Sequence, residues 1–437
     1  MPAHSKNSGD NGRVGAAALF HFLLWPLGFL VLLGIYNVYS ATYYVNLAGG
    51  AAPYKDAVKH VGILLGSIVL GYGLTYCPWI WRSGRSLFLW AAGITLLLAA
   101  VWAGGVTVNG AKRWLQFGGF SLQPSEFAKA GAILFTAWML AKRMEAGKTV
   151  RLLQYPWFWV LRRSIDGRPV TWERILWGTF PLVLPAFFFL IVMEQPDMGT
   201  AALILVFPML LYFLAGLSWW EVSGGILLVV LGVAWLVREP YRWERIMSYW
   251  DPFDYAGDEG YQAVQSLIAV GSGGFWGQGL GVGTAKFFFL PERSTDFAYA
   301  VLSQEGGFAI AFLVLLLFGM VLVTGFLIAK EMADLHAALV VYGMTLLLSV
   351  QGMGNIAMVL GLIPVTGVPL PFISYGGSAL MTNCMAVGII GSAVRFDRKY
   401  RKKAPPPETL PLPRPVPLEP RSHAVFQPPA DDRFRQY

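Results

Sequence analysis

Residues 298–329 read AYAVLSQEGGFAIAFLVLLLFGMVLVTGFLIA, an apolar run in which Glu305 is the only charged side chain. A helix of roughly 17–25 such residues spans the ~30 Å hydrocarbon core of a bilayer. The apolar residues are continuous rather than alternating, which favours helices over the strands of a membrane barrel. Similar runs recur along almost the whole chain, at 17–41, 60–80, 87–105, 124–141, 175–193, 199–217, 222–237, 337–361 and 378–394. The pattern predicts an all-α polytopic membrane protein of about ten transmembrane helices.

The composition excludes an ordinary soluble protein. Of the 437 residues, 56% are hydrophobic and 13% are charged, whereas about 25% of residues are charged in soluble domains. Aromatic pairs bound several runs, as at Tyr43–Tyr44 and Trp219–Trp220, where they suit the headgroup layer. The net charge of +8 is explained by loop topology and by attraction to anionic membrane lipids, and it requires no nucleic-acid partner.

The distribution of Lys and Arg predicts the orientation. Basic residues concentrate in segments 82–85, 142–174 and 395–403, which share one side if the N-terminus is cytoplasmic. Because cytoplasmic loops are enriched in Lys and Arg, both termini are predicted to lie inside. The fourth outer loop then spans 238–297, and a loop of that length in a compact bundle is usually functional.

The membrane domain is predicted to span residues 17–400. A polar cytoplasmic tail precedes it at 1–16, and a basic, then Pro-rich, cytoplasmic tail follows at 401–437. The Pro-rich tail cannot form a packed core, so we predict disorder, with a passive role favoured over partner docking. Cys77 and Cys384 lie in separate apolar runs and give neither a disulfide framework nor a metal-binding spacing.

Charged residues near the bilayer are the first functional candidates, because burying them is unfavourable. In the second outer loop, Lys112 and Arg113 precede Pro124, which suits the first turn of a helix. Glu126 and Lys129 follow three residues apart, so their side chains can pair on one helix face. Such a pair either supports a substrate site or only fixes helix packing, and the spacing does not decide between these roles.

Asp197, in the sequence EQPDMG (194–199), stands where another apolar run begins. An Asp at that position accepts hydrogen bonds from the free N–H groups of the first helical turn and meets the positive end of the helix dipole. A capping role is therefore favoured over catalysis.

The long outer loop ends in KFFFLPERSTDF, residues 286–297, and Asp296 stands at the entrance of the next run. A carboxylate at the outer membrane surface can accept a proton from a sugar hydroxyl. Nearby Lys286 and Arg293 can neutralise a diphosphate leaving group. The sequence position of Asp296 supports a role as general base scarcely better than a role as helix cap.

Residues 363–378, IPVTGVPLPFISYGGS, are rich in Pro and Gly. An irregular segment of this kind cannot lie exposed to lipid, because its backbone polar groups would have no partners. We predict that it is buried or lines a cavity, and its polar end adds Ser374, Tyr375, Gly376 and Gly377 to the candidate site residues.

Six segments together resemble the SEDS family, the RodA and FtsW type of proteins of cell shape, elongation and division. Their order and spacing carry the resemblance, which extends from about residue 17 to residue 400. The segments are NGAKRWL (109–115), QPSEFAK (123–129), QPDMGTA (195–201), YQAVQSLIAVGSGGFWGQGLG (261–281), LPERSTDF (290–297) and VTGVPLPFISYGGS (365–378).

The resemblance implies a peptidoglycan glycosyltransferase in the bacterial cytoplasmic (inner) membrane that polymerises lipid II without a separate catalytic domain. The family's essential acid, in a T-D-F motif, maps onto Asp296. The expected reaction joins the 4-hydroxyl of the acceptor's N-acetylglucosamine to the anomeric carbon of the donor's N-acetylmuramic acid. Undecaprenyl diphosphate leaves, and the configuration inverts. The expected partner is a class B penicillin-binding protein, which crosslinks the new strand.

Two departures from the family pattern bear on this interpretation. Ser294 stands where relatives usually carry His, and Gln304 with Glu305 stands where they often carry two acids. LPER and VTGVPLPFISYGG resemble RodA, whereas the 261–281 segment and KFFFLPE resemble FtsW, so elongation, division and sporulation roles are not separated. A divalent cation, Mg²⁺ or Mn²⁺, can accompany the diphosphate, although the sequence shows no carboxylate cluster dedicated to it.

A lipid II flippase and a non-catalytic scaffold of the cell-wall synthase complex are the alternative functions. A flippase requires a polar path through the bilayer midplane, often built from inverted repeats and broken helices. The sequence shows no repeat, and its charges gather near the predicted outer face. A scaffold would require no acid at the position of Asp296. A polymerase is therefore the favoured hypothesis.

Overall fold

The computed structural model describes residues 15–108, 111–146, 172–217, 247–255, 257, 260–287 and 290–403. Its helices are α1 (Ala16–Ala48), α2 (Lys55–Leu74), α3 (Trp79–Arg82), α4 (Gly84–Gly104), α5 (Pro124–Glu145), α6 (Trp172–Glu194), α7 (Met198–Leu214), α8 (Tyr261–Ser272), α9 (Ala298–Lys330), α10 (Leu335–Val359) and α11 (Gly377–Lys403). Three short strands, β1 (Val106–Val108), β2 (Ala111–Phe117) and β3 (Phe120–Leu122), lie between α4 and α5.

The helices confirm a polytopic helical membrane protein. Within the described ranges, α1, α2, α4, α9, α10 and α11 are long and apolar enough to cross a bilayer, and α7 is a shorter apolar helix. Each predicted span in this part of the chain corresponds to one helix, except the span at 60–80. The predicted span 222–237 lies outside the described residues, as do the tail 404–437 and most of the segment 142–174.

One predicted span is displaced by more than a helical turn. It was placed at 60–80, but α2 begins at Lys55 and ends at Leu74, and α3 begins at Trp79. Pro78 accounts for the break, because a proline disfavours the helical conformation of the residue before it. The apolar run continues through the break, so hydropathy alone does not reveal it.

The second outer loop also contains strands, although the apolar runs of the sequence indicated only helices. There β1, β2 and β3 form a three-stranded antiparallel sheet in that order. Gly118, with φ of 57°, supplies the left-handed turn that joins β2 to β3. β1 and β3 have only three residues each, and burial does not alternate along β2, so the sequence shows no clear period-2 pattern here.

The core is built around two long helices. Helix α9 packs against α1 and α10, and α5 packs against α4, α6, α7 and α10. Many large apolar side chains point outward instead, such as Leu89, Val69 and Leu96, which are 74%, 72% and 71% exposed. Exposed apolar surface on this scale is rare in soluble monomers and suits contact with lipid.

Helix α9 is interrupted at Gly307, whose backbone has φ 65° and ψ −167°. A Cβ at this position would collide with the backbone of Phe275 and Gly277 in the long outer loop. The kink therefore lets the loop segment around residues 273–279 pack against the helix, where the N–H of Phe308 donates to the carbonyl of Gly274 at 2.9 Å.

The two ends of the bundle are chemically different. At one end, Arg82 pairs with Asp334 at 2.9 Å, and the Trp81 Nε1 donates to Ser392 at 3.1 Å. The opposite end, which the charge pattern predicts to face outward, is called the outer end. It collects the sheet, the start of α5, α7, α9 and α11, and the end of α10. The predicted site residues lie there.

Candidate active site

Asp296 lies in the loop that leads into α9. Residues outside that loop donate hydrogen bonds to its main-chain carbonyls. The carbonyl of Ser294 accepts from the Tyr375 N–H at 2.7 Å, and the carbonyl of Thr295 accepts from the Ser374 hydroxyl at 2.5 Å. The carbonyl of Asp296 itself accepts from the Asn355 side-chain amide at 2.7 Å. The backbone of the motif is therefore fixed by residues of α10 and of the segment 363–378.

The Asp296 carboxylate does not cap the helix. Phe297 is the N-cap residue of α9, and no side chain accepts a hydrogen bond there. Within the described residues the carboxylate has no hydrogen-bond donor, and its Oδ2 faces Gly367, where an added Cβ would lie at 3.6 Å. Of the two roles that the sequence left open, capping is therefore excluded by the geometry.

The electrostatic surroundings of Asp296 favour its neutral form. Burial is the largest effect, and it raises the pKa of Asp296 to about 7. The negative charges of Glu292, Asp197 and Glu126 act in the same direction, and Arg113 opposes them. A carboxylate with a pKa near the working pH is suited to accept and release a proton.

Asp197 caps α7, as the sequence predicted. Its Oδ1 accepts from the Thr200 N–H at 3.3 Å. Its Oδ2 accepts from the Gln123 amide at 3.0 Å and from the Ser125 hydroxyl at 3.3 Å. The Arg113 guanidinium lies 3.9 Å from Oδ1, so this cap also links the sheet and the start of α5 to α7.

Gly199, in the first turn of α7, shows how closely this region is packed. A Cβ there would collide with the carbonyl of Thr366. The segment 363–378 therefore lies directly against α7, and its residues 368–374 are largely buried. This burial confirms the prediction made from its irregular sequence.

Glu126 and Lys129 form the predicted pair at 2.8 Å, with side chains 2% and 0% exposed. Lys129 also donates to the Gln351 Oε1 of α10 at 2.8 Å, and the Gln351 amide donates to the Pro369 carbonyl at 3.0 Å. The pair thus belongs to a buried chain of contacts that joins α5, α10 and the irregular segment.

Lys286 and Glu305 lie in a different cluster. Lys286 pairs with Glu305 at 2.8 Å, with side chains 2% and 1% exposed. Glu305 also accepts from the Ser40 hydroxyl at 2.7 Å and from the Tyr36 hydroxyl at 2.5 Å. Both sequence candidates are thereby used to join the long outer loop, α9 and α1, and not to surround Asp296.

The remaining predicted residues have identifiable positions. Lys112 donates to the Trp102 carbonyl at 2.6 Å, and Arg293 donates to the Ala41 carbonyl at 3.3 Å. Burial raises the pKa of Tyr375 to about 12, with a further contribution from its hydrogen bond to Asp56. Gly376 and Gly377 lead into α11, where a Cβ on Gly377 would lie 3.0 Å from a neighbouring phenylalanine ring.

The residues of this site that the sequence prediction missed are Gln123, Gln351 and Asn355. Gln351 and Asn355 are four residues apart in the largely apolar α10, so they share a helix face. Polar side chains inside a membrane span are unfavourable unless they have partners. That spacing was therefore a readable signal, and it would have directed attention to α10.

A cleft of about 590 Å³ opens beside the loop that carries Asp296. Pro291 lines it from that loop, and Tyr249, Trp250 and Tyr261 line it from the long outer loop. Aromatic faces next to polar groups are suited to bind ligands that have both apolar and hydroxylated surfaces, such as sugar rings.

The described residues show no group of three or more His, Cys, Asp or Glu side chains that could hold a metal ion. Asp197 is engaged as a helix cap, and Glu126 is paired with Lys129. The acids around Asp296 therefore do not fit a dedicated metal site, and no step of the chemistry derived for this site passes through a cation.

The fold and the site together define a class of protein, a polytopic helical membrane protein with a candidate active site at one end of its helix bundle. Residues 21–399 match the FtsW/RodA/SpoVE family, described as cell cycle proteins. The chain belongs to this family.

Individual relatives cover most of the chain. Stage V sporulation protein E of Bacillus subtilis is 36% identical over 76% of this chain and 85% of its own length. A probable peptidoglycan glycosyltransferase FtsW of Neisseria gonorrhoeae is 30% identical over 87% of this chain and 85% of its own length. A chain in a solved structure on polymerization and crosslinking by a peptidoglycan synthase complex is 28% identical, with a TM-score of 0.61 over 86% of this chain and 98% of that one.

Proposed function

We propose that this protein is a peptidoglycan glycosyltransferase that polymerises lipid II at the outer face of the bacterial cytoplasmic membrane. The observation that carries the proposal is the Asp296 carboxylate. It has no hydrogen-bond donor within the described residues, its backbone is fixed, and its pKa is raised to about 7. Family membership and the relatives named as glycosyltransferases support the same activity.

In the proposed reaction, Asp296 is the general base. It takes the proton of the 4-hydroxyl on the acceptor's N-acetylglucosamine while that oxygen attacks the anomeric carbon of the donor's N-acetylmuramic acid. The bond from that carbon to the diphosphate breaks, and undecaprenyl diphosphate leaves with the electron pair. Attack from the face opposite the leaving group gives a β-1,4 bond. Base catalysis of this kind contributes typically about 10²–10⁴ in rate.

Arg113 is the proposed partner of the leaving diphosphate. It is the cation whose charge acts on Asp296, and its side chain is 29% exposed beside Asp197. Guanidinium groups bind phosphate oxygens through several donors at once. Lys129 is completely buried and paired with Glu126, so its proposed role is to hold the packing beneath the site.

The outer cleft is the proposed place for saccharide. Trp250 and Tyr261 offer ring faces, and Gln262 offers polar groups, next to the loop that carries Asp296. The lipid tails of the substrate remain in the bilayer, so the sugars have to reach this end of the bundle from its side.

A class B penicillin-binding protein is the proposed partner. A structural neighbour belongs to a complex that coordinates polymerization and crosslinking, and such a partner would crosslink the strands made here. The relatives include both a sporulation protein and FtsW proteins, so the proposal covers cell-wall synthesis in elongation, division or sporulation. Mg²⁺ or Mn²⁺ is proposed only as a companion of the substrate diphosphate.

The placement of the buried charges favours polymerase over flippase. The Glu126–Lys129 pair lies in the first two turns of α5, and Glu305 lies in the third turn of α9. Both helices begin at the outer end. A flippase requires a polar path at the midplane, whereas Lys129 and Glu305 are held by protein partners near one surface.

The test is the Asp296→Asn variant of the purified protein, assayed for lipid II consumption together with its synthase partner. Asn has the same size but cannot accept the proton, so glycan formation should fall by at least about 10²-fold while the melting temperature stays unchanged. Asp251→Asn, in the exposed part of the same loop, is the matched control and should remain active. Near wild-type polymerisation by Asp296→Asn would reject the assignment.

A further inference from the structure

Three consecutive backbone carbonyls, those of Ser294, Thr295 and Asp296, each accept a hydrogen bond from outside their own loop. The donors are Tyr375, Ser374 and Asn355. Loops at a protein surface usually satisfy their carbonyls with water. Here the donors come from α10 and the irregular segment 363–378, more than fifty residues along the chain.

Of the three donors, Asn355 is the one that contacts the backbone of Asp296 itself. Its side-chain Nδ2 donates to the Asp296 carbonyl at 2.7 Å and to the Val368 carbonyl at 2.8 Å. An amide NH₂ has two donors, and both are used here. The residue is 1% exposed, and its Oδ1 has no partner within the described part of the chain. The amide therefore links the backbone at Asp296 to the backbone at Val368.

Ser374 makes a second bridge of the same kind. Its hydroxyl donates to the Thr295 carbonyl at 2.5 Å and accepts from the Leu370 N–H at 2.8 Å. The hydroxyl thus joins the loop of Asp296 to the interior of the irregular segment. The adjacent Tyr375 N–H, donating to the Ser294 carbonyl, continues this set of contacts.

A general base must satisfy two requirements that oppose each other. Its carboxylate has to be held in a fixed position, because a displacement of about 1 Å can reduce the rate about 100-fold. Hydrogen bonds to the carboxylate would provide that position, but they stabilise the charged form and weaken the base. Holding the residue by its main chain satisfies both requirements.

We propose that Asn355 and Ser374 are positioning residues, which hold Asp296 by its backbone and leave its carboxylate without donors. This inference rests on the proposed function, in which Asp296 is the general base. The role of the segment 363–378 is then to hold the backbone of residues 294–296 in position. Asn355 and Ser374 contact no reacting atom, so their loss should lower kcat and leave KM for lipid II nearly unchanged.

The test measures kcat and KM for lipid II polymerisation by purified Ser374→Ala, Ser374→Thr and Asn355→Leu, with rates expressed per folded molecule. Ser374→Ala and Asn355→Leu should each lose about 10- to 100-fold in kcat. Ser374→Thr keeps the hydroxyl and should restore most of the activity that Ser374→Ala loses. If Asn355→Leu does not fold, the two Ser374 variants decide the question.

Ser266→Ala is the matched control. Ser266 is a fully buried serine of α8 whose hydroxyl donates at 2.9 Å to the Val359 carbonyl at the end of α10, and not to the backbone of residues 294–296. It should lose less than about twofold in kcat. The inference is overturned if Ser374→Ala and Asn355→Leu behave like Ser266→Ala, or if their losses appear in KM. Inactive Asp296→Asn beside active Ser374→Ala rejects the positioning role alone, whereas active Asp296→Asn rejects the catalytic proposal itself.

Discussion

Asp296 and Glu305 are nine positions apart in the sequence, yet their carboxylates differ in hydrogen-bond partners. Glu305 is 1% exposed and accepts from Lys286, Ser40 and Tyr36. Asp296 has no donor to its carboxylate within the described residues, and burial with nearby negative charge raises its pKa to about 7. A saturated carboxylate holds structure together, whereas an unsatisfied one remains available to take a proton.

The residue before Glu305 sharpens this contrast. Gln304 accepts from the Ala285 N–H at 2.8 Å and donates to Ser272 at 2.9 Å and to Thr284 at 3.1 Å. An acid at this position would lose both donated hydrogen bonds. It would also place a second negative charge beside Glu305. Lys286 is the one cation that pairs with Glu305 within the described residues. The hydrogen bonds of Gln304 therefore favour an amide over an acid at this position.

The largest expected effect concerns stability in the Glu305 cluster. Lys286→Met leaves the Glu305 carboxylate buried without its cation, which destabilises a protein by about 3–5 kcal/mol. We expect a large drop in melting temperature and in purified yield. The double variant Lys286→Met, Glu305→Gln removes both charges and should recover most of that loss. Equal stability of Lys286→Met and the unmodified protein would show that the pair is not structural.

The Glu126–Lys129 pair tests whether a buried pair near the proposed general base behaves like Glu305 or like Asp296. Lys129→Ala leaves Glu126 unpaired, again at about 3–5 kcal/mol, and also removes the contact to Gln351. Expression and activity should both be restored in the double variant Glu126→Gln, Lys129→Met if the pair is structural. Restored expression without activity would instead place the pair in the substrate chemistry.

The smallest expected effect is on the pH dependence of Asp296. As the proposed general base, Asp296 works in its ionised form, so kcat/KM should rise as pH increases through about 7. Glu292 raises the pKa of Asp296 by its negative charge, and Asp197 and Glu126 add to this while Arg113 opposes it. Glu292→Gln should therefore move the rise to lower pH.

The measurement is the pH profile of lipid II polymerisation by the unmodified protein and by Glu292→Gln. Asp251→Asn, a charge removal elsewhere in the same loop, should leave the profile in place. A profile that stays where it is in Glu292→Gln, or moves to higher pH, contradicts this account of the electrostatics.

Local signals in the sequence identified a large part of this protein. Continuous apolar runs gave the helices, since the hydrocarbon core requires about 20 apolar residues in a row. The spacing of Glu126 and Lys129 gave their pairing, and the position of Asp197 gave its cap. Each of these inferences concerns residues that are neighbours along the chain, so no knowledge of distant packing was needed.

The tertiary structure decided which distant groups meet. Lys286 and Asp296 are both in the long outer loop, but Ser40 of α1 and Glu305 of α9 fix Lys286 in a different cluster. Asn355 reaches Asp296 from α10, across 59 positions of sequence. Such partners depend on how helices pack, and the energy of a buried charge or hydrogen bond depends on those partners. The sequence by itself determined the helices and the family, and the resemblance to that family singled out Asp296. Only the packing determined that Glu305 is held by three donors, whereas the Asp296 carboxylate has none within the described residues.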